Sequence, residues 1–310
     1  MSLVGKKILV TGASGFLGKE VMRLSKKTGG AFYISERSIK MDLRNDRNVQ
    51  NIFVKVDPDI VIHLAAKVGG IMANMAAPGE FFYDNMKMGM NVIHASMQYN
   101  TKIIMVGTVC SYPRECPVPF VEEDLWSGYP EETNAPYGVS KRALLVMCQA
   151  YKKQYGLNFT YLIPTNLYGP GDNFNLETSH VIPAMIRKMA EAIKNKSQEI
   201  TCLGTGMVTR SFLHITDAAK GILMAADLHG YNEPINLPGS DEVKMDDLAA
   251  MIAKIIGYTG KIKWDPSKPD GQPRRAINGD RARDLLKWKP EISLQEGLAS
   301  MVSSFMENRL

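Results

Sequence analysis

Cysteine is scarce in this chain. Four thiols stand at 110, 116, 148 and 202, none in a C-x-x-C pair. That spacing offers no zinc site and no disulfide framework, so no metal is expected and a reducing cytoplasm is the expected compartment. No run of about 18 apolar residues occurs, which argues against a membrane span. Nor is there a Lys/Arg block of nucleic-acid type. The 37 basic and 32 acidic residues are spread along the chain and leave a net charge of +5. So mild an excess suits an anionic small molecule, not a nucleic acid. No signal peptide is read before the first strand, and no internal repeat or low-complexity tract is found. The 19 methionines are read as adaptable core filling.

What is present is a regular alternation. Short apolar runs at 6–10, 31–34, 59–64, 102–106 and 159–163 read as strands. Helical patterns over 16–27, 46–56, 81–99 and 135–155 separate them. Strand and helix alternating in units of roughly 30 residues predict an α/β fold, a doubly wound parallel sheet of Rossmann type. Near residue 170 the texture changes at YGPGDNFN, a Gly/Pro/Asn breaker. Residues 1–170 are therefore expected to form the dinucleotide-binding domain, with return segments near 207–240. Residues 171–310 are expected to form mainly a smaller substrate-binding lobe, with helices near 182–194 and 245–256 and from Leu294.

Two local motifs carry chemistry. Gly12-Ala-Ser14-Gly15-Phe16-Leu17-Gly18 follows the first strand and enters a helix. Glycines there allow a tight turn and close approach of a pyrophosphate to free helix N–H groups. The second strand runs into Glu36-Arg37. An acid there suits the ribose of NAD and an arginine suits the extra phosphate of NADP. Both are present, and the reading leans to NADP(H) through Arg37, with Asp42 near the adenine. Tyr137 and Lys141 stand four apart on one helix and therefore on one face. An ammonium beside a phenol helps it exchange a proton with a substrate oxygen.

With Thr108 ending the fourth strand, this set resembles the extended, nucleotide-sugar-modifying form of the short-chain dehydrogenase/reductase superfamily over nearly the whole chain. GTVCSYP at 107–113, AAKVGGIMAN at 65–74, IPTNLYGPGDNF at 163–174 and SHVIPAMIRK at 179–188 narrow the likeness to the GDP-L-fucose synthase family. The resemblance implies an NADPH-dependent enzyme that epimerises and then reduces GDP-4-keto-6-deoxy-D-mannose. It implies that Thr108 and Tyr137 hold the C4 oxygen, that Lys141 supports Tyr137, and that Cys110 and His180 form the acid/base pair. Further cofactor contacts are expected at Leu64, Ala65, Ala66, Pro164, Asn166, Leu167 and His180. Substrate contacts are expected at Asn166, Lys188, Leu203, Arg210, Lys268 and Asn278. A homodimer through helices near 81–99 and 137–155 is also implied. The sequence departs from the family at Leu203, where a tryptophan is usual, at Asn278, where an aspartate is usual, at Ser14 and at Thr108.

The expected chemistry explains a thiol at the open end of a strand. A ketone at C4 acidifies the hydrogens on C3 and C5. Inversion at each carbon needs one group to take a proton and another to return one from the opposite face. Thiol and imidazole both titrate close enough to neutrality to serve. Val109-Cys110 stands where a dehydratase of the superfamily carries Asp-Glu, so loss of water is not expected. The alternatives are an epimerase or 4-ketoreductase acting on another nucleotide 4-keto-6-deoxy sugar, of heptose or colitose type, and a non-enzymatic NADP(H)-binding regulator.

Overall fold

The structure is a computed structural model that describes residues 3–35 and 41–307. In chain order its first half runs β1 (Lys7–Thr11), α1 (Phe16–Ser25), β2 (Ala31–Ile34), α2 (Asp46–Val56), β3 (Ile60–His63), α3 (Ile71–Ala76) and α4 (Pro78–Gln98). Next come β4 (Lys102–Val106), α5 (Ala135–Tyr155) and β5 (Phe159–Pro164). After the breaker region begin β6 (Asn166–Tyr168), α6 (Val181–Lys194), β7 (Glu199–Leu203), β8 (Thr209–His214), α7 (Ile215–Asp227) and β9 (Pro234–Leu237). The chain finishes with β10 (Glu242–Lys244), α8 (Met245–Ile256), β11 (Lys261–Asp265), β12 (Arg274–Arg275), α9 (Asp280–Leu286) and α10 (Leu294–Glu307).

Six strands form one parallel sheet in the order β2-β1-β3-β4-β5-β9. The central strands β3, β4 and β5 are buried at every position, as a parallel sheet covered on both faces requires. On one face Val49, Phe53, Val92 and Leu144 from α2, α4 and α5 pack on Leu9, Val61, Ile103 and Phe159. On the other, Val21 of α1 and Ile222 and Leu223 of α7 pack on Ile8, Ile62, Ile104 and Leu162. Lys102, buried within β4, donates to the carbonyls of Ala225 and Ala226 at 3.1 and 2.8 Å, which satisfies its charge at the C-terminal end of α7.

Strand order reverses between β1 and β3. A crevice opens there at the carboxyl edge, the usual ligand position in such sheets. The far wall belongs to a third cluster built from α6, α8 and α10. Two small sheets border it: β10-β8-β12, with β6 alongside β8, and β11-β7. Segment 207–240 is divided. Its α7 covers the large sheet and β9 joins that sheet's edge, whereas β8 stays with the small one. Helix α4 starts at Pro78, three residues ahead of the apolar pattern, because proline is well tolerated in a first helical turn.

Candidate active site

The Gly turn after β1 is a backbone device. Gly12 has φ +72°, and a Cβ there would lie 2.6 Å from the Ala65 nitrogen. Its carbonyl accepts from the Gly15 N–H at 3.0 Å. A Cβ on Gly18 would lie 2.1 Å from that same carbonyl, so α1 can begin this close to β1 only with glycine there. No side chain caps the start of α1, which leaves its N–H groups for an anion. These features fit a dinucleotide. Gly12, Gly15, Phe16, Leu17, Gly18, Leu64 and Ala66 line one cavity of about 540 Å³ with Pro164, Asn166 and Leu167. Ser14 is exposed on the turn, and Ala65 bonds Thr11 Oγ1 through its N–H at 3.3 Å; neither is among the lining residues. Asp42 is occupied by Arg44, whose Nη2 donates to it at 2.8 Å, and stands outside the cavity lining. Arg37 lies outside the described residues.

The end of β4 meets the start of α5 beside the turn. A Cβ on Gly138 would come within 2.2 Å of the Cys110 carbonyl, so glycine lets α5 press directly on the 108–111 segment. Ser111 Oγ donates to the Gly138 carbonyl at 2.9 Å, and Thr108 Oγ1 accepts from the Cys110 N–H at 3.2 Å. That docking places Thr108, Cys110, Tyr137 and Lys141 along one stretch of the cavity. Burial, reinforced by Cys110, pushes the Tyr137 phenol well above its ordinary value, against the pull of a Thr108 hydrogen bond. Lys141 Nζ lies 6.0 Å from the Tyr137 ring centre and donates to the Val106 carbonyl at 3.0 Å. Burial pulls this lysine down to about 8. An ammonium has three donors, and this bond uses one.

The opposite wall comes from α6, β7, β8 and the segment after β11. His180 opens α6; its side chain makes no capping bond and is exposed to the cavity, while the protein packed around it pulls the imidazole below its ordinary value. Arg210 is buried, and its Nη2 donates to the Asp270 carbonyl at 2.8 Å. Lys188, Leu203 and Lys268 also line the cavity, Lys188 donating to the Thr201 carbonyl at 2.7 Å. Asn166 donates to the Ser211 carbonyl at 3.3 Å. Asn278 is elsewhere. Its Oδ1 accepts from the Asp280 N–H at 2.8 Å, a local cap at the start of α9, and it is not among the cavity-lining residues.

Arg275 and Asp172 are among the cavity residues that escaped the sequence reading. Arg275 Nη1 donates to Cys110 Sγ at 3.5 Å. Asp172 has an Oδ2 without a hydrogen-bond partner, and burial pushes its carboxyl up to about 7. Both stand in loop-like text, KPDGQPRR and YGPGDNF, where spacing says nothing about direction. His63 is buried and also lines the cavity. Burial, reinforced by Lys141, pulls it down to about 3, and its Nδ1 pairs with Thr11 Oγ1 at 2.8 Å. Among the described residues no cluster of His, Cys, Asp and Glu could hold a metal ion, and no helix is long and apolar enough to cross a membrane.

Residues 8–237 match the NAD dependent epimerase/dehydratase family. The chain belongs to that family. It is 39% identical over 310 residues to GDP-L-fucose synthase of Sinorhizobium fredii, covering 99% of this chain and 97% of that one. Among solved structures it is similar to a GDP-L-fucose synthetase from Naegleria fowleri bound to NADP (TM-score 0.90, 32% identity, 100% and 95% of the two chains covered). A GDP-6-OMe-4-keto-L-xylo-heptose reductase from C. jejuni is equally alike in shape, with a TM-score of 0.90, 26% identity and 100% and 99% covered.

Proposed function

We propose that this protein is a GDP-L-fucose synthase, an NADP(H)-dependent enzyme that epimerises GDP-4-keto-6-deoxy-D-mannose at C3 and C5 and reduces it at C4. The observation that carries the reading is the shared cavity. Thiol and imidazole, from the segment after β4 and the start of α6, line the same space as the Tyr137 phenol and the Lys141 ammonium. A regulator that only sensed the dinucleotide would need the glycines alone.

In the proposed mechanism the turn at 12–18 and Lys141 hold the cofactor, and Arg210, Lys188 and Lys268 draw in the nucleotide diphosphate. Thr108 and Tyr137 hold the C4 oxygen. One of Cys110 and His180 takes the proton from C3 or C5, and the electron pair moves onto that oxygen as an enolate. The other group returns a proton to the carbon from the opposite face. NADPH, when bound, supplies the hydride that reduces C4. Tyr137 gives its proton to the oxygen, a role suited to a phenol that burial keeps protonated. The soluble partner is a nucleotide sugar. A cytoplasmic location agrees with four free thiols. A homodimer agrees with Phe82, Tyr83 and Met90 on α4 and Val146 and Tyr155 on α5, all exposed.

The test is turnover of the 4-keto sugar in D₂O with NADPH. Deuterium at both C3 and C5 with a reduced C4 is expected. Cys110→Ser should slow wash-in by about 10²- to 10⁴-fold, the usual worth of a general acid or base, with NADPH affinity unchanged. A second reading, a 4-ketoreductase of the heptose type, is favoured by the heptose-reductase likeness and by Leu203, which lines the cavity where the family usually has a tryptophan. It would give reduction without carbon-bound deuterium.

A further inference from the structure

Arg275 is buried at 6% exposure and sits on β12, in register with Arg210 on the parallel strand β8. Two guanidinium groups thus stand side by side at the cavity. The bonds of Arg275 go to an amide oxygen and a sulfur, neither of them a carboxylate. Its Nε donates to Gln272 Oε1 at 3.2 Å and its Nη1 to Cys110 Sγ at 3.5 Å. Gln272 is buried too. It donates to the carbonyls of Pro113 and Arg114, both at 2.9 Å, just beyond the turn that carries Cys110. The loop of contacts therefore closes: the 110–114 segment fixes Gln272, Gln272 fixes Arg275, and Arg275 returns to the sulfur. Tyr137 and Arg210 also face Cys110.

We propose that Arg275 is a positioning residue for Cys110: it holds the sulfur at the cavity wall and offsets the charge left there when the thiol proton moves to the substrate carbon. Arginine has donors and no acceptor, so in this contact the sulfur must accept. In the proton transfer the S–H bond breaks, a C–H bond forms, and the electron pair of the enolate becomes that C–H bond while the negative charge passes to sulfur. A guanidinium already in place meets that charge without reorganisation. In the reverse direction it holds the anion that removes the proton. A buried cation without a carboxylate costs stability, and an anion formed next to it relieves that cost.

The role rests on the acid/base assignment of Cys110, so the test includes a readout on the free enzyme that needs no turnover. Alkylation of Cys110 by iodoacetamide is followed by mass spectrometry, with Cys110→Ser as the blank. Arg275→Met and Arg275→Gln should slow that alkylation, and slow deuterium wash-in about 10- to 100-fold, the worth of one charged hydrogen bond. Arg275→Lys should restore most of both rates. KM for the nucleotide sugar and NADPH affinity should stay near wild type, the latter also reporting that each variant folds. Unchanged alkylation with a raised KM would assign Arg275 to the diphosphate and overturn the proposal, as would a lysine variant no better than methionine. Slower alkylation in an enzyme that never exchanges deuterium would retain the contact and refute the epimerase reading instead.

Discussion

Along the carboxyl edge of the large sheet the crevice wall is made of backbone. Gly12 and Gly18 leave space where any Cβ would collide, and Gly138 lets α5 rest on the Cys110 carbonyl. Across the cavity the wall is made of long side chains, Lys188, Arg210 and Arg275, sent from three separate segments and anchored on carbonyls or amides. A backbone wall can be written in a few neighbouring residues and tolerates no added atom. A side-chain wall depends on how distant strands happen to register, as β12 does with β8, and loses affinity by degrees.

The sharpest break in that comparison is expected from Gly18→Ala. The new methyl would sit 2.1 Å from a backbone carbonyl, so α1 must move off β1. NADPH affinity should fall roughly 100-fold or more, as misplacement of about an ångström typically costs. Stability should drop by about 1–3 kcal/mol for the overpacking. GDP binding, measured calorimetrically, should be nearly unchanged, because the far wall does not rest on this turn. A loss of both affinities together would show that the two walls are one cooperative unit.

Arg210→Met is the complementary change and the smaller one. It removes a buried guanidinium and takes one donor from the Thr209 and Asp270 carbonyls, which it bonds at 2.7 and 2.8 Å. GDP affinity should weaken by about 10- to 100-fold, the range for a charge-assisted bond, with NADPH affinity unaltered. Equal weakening of both ligands would contradict the division.

The same division explains what could be read beforehand. The strands from 102–106 and 159–163 emerged as unbroken apolar runs because both of their faces are buried, and the helix 135–155 because its 21 residues give a pattern room to show. The Gly turn and the Tyr137–Lys141 pair lie within seven and five residues, and local spacing carries their geometry. Strands β6, β10 and β12 are three, three and two residues long, too short for any period to show. Arg275 reaches Cys110 across 165 positions, a contact that no local spacing encodes. Asn278 shows the converse case. Its place in the family pattern suggested the substrate, but an amide two residues ahead of a helix finds its own backbone first.

The smallest effect is a difference in how the two walls respond to pH. Lys141 on the backbone wall is pulled down to about 8 by burial, so its ammonium is present at neutrality and lost as pH rises through that value. The charged form gives a cofactor ribose the stronger, charge-assisted hydrogen bond. NADPH affinity should therefore decline above about pH 8, by up to about tenfold at pH 9.5, and Lys141→Met should flatten that slope at a lower overall affinity. Arg210 is also pulled downward, by burial and by Arg275, yet a guanidinium keeps its proton across this range. GDP affinity should accordingly stay level between about pH 7 and 9.5. Fluorescence titration of NADPH beside calorimetry of GDP over the same pH series decides the point. Parallel declines would mean that a group common to both ligands titrates, and the lysine would lose its assignment.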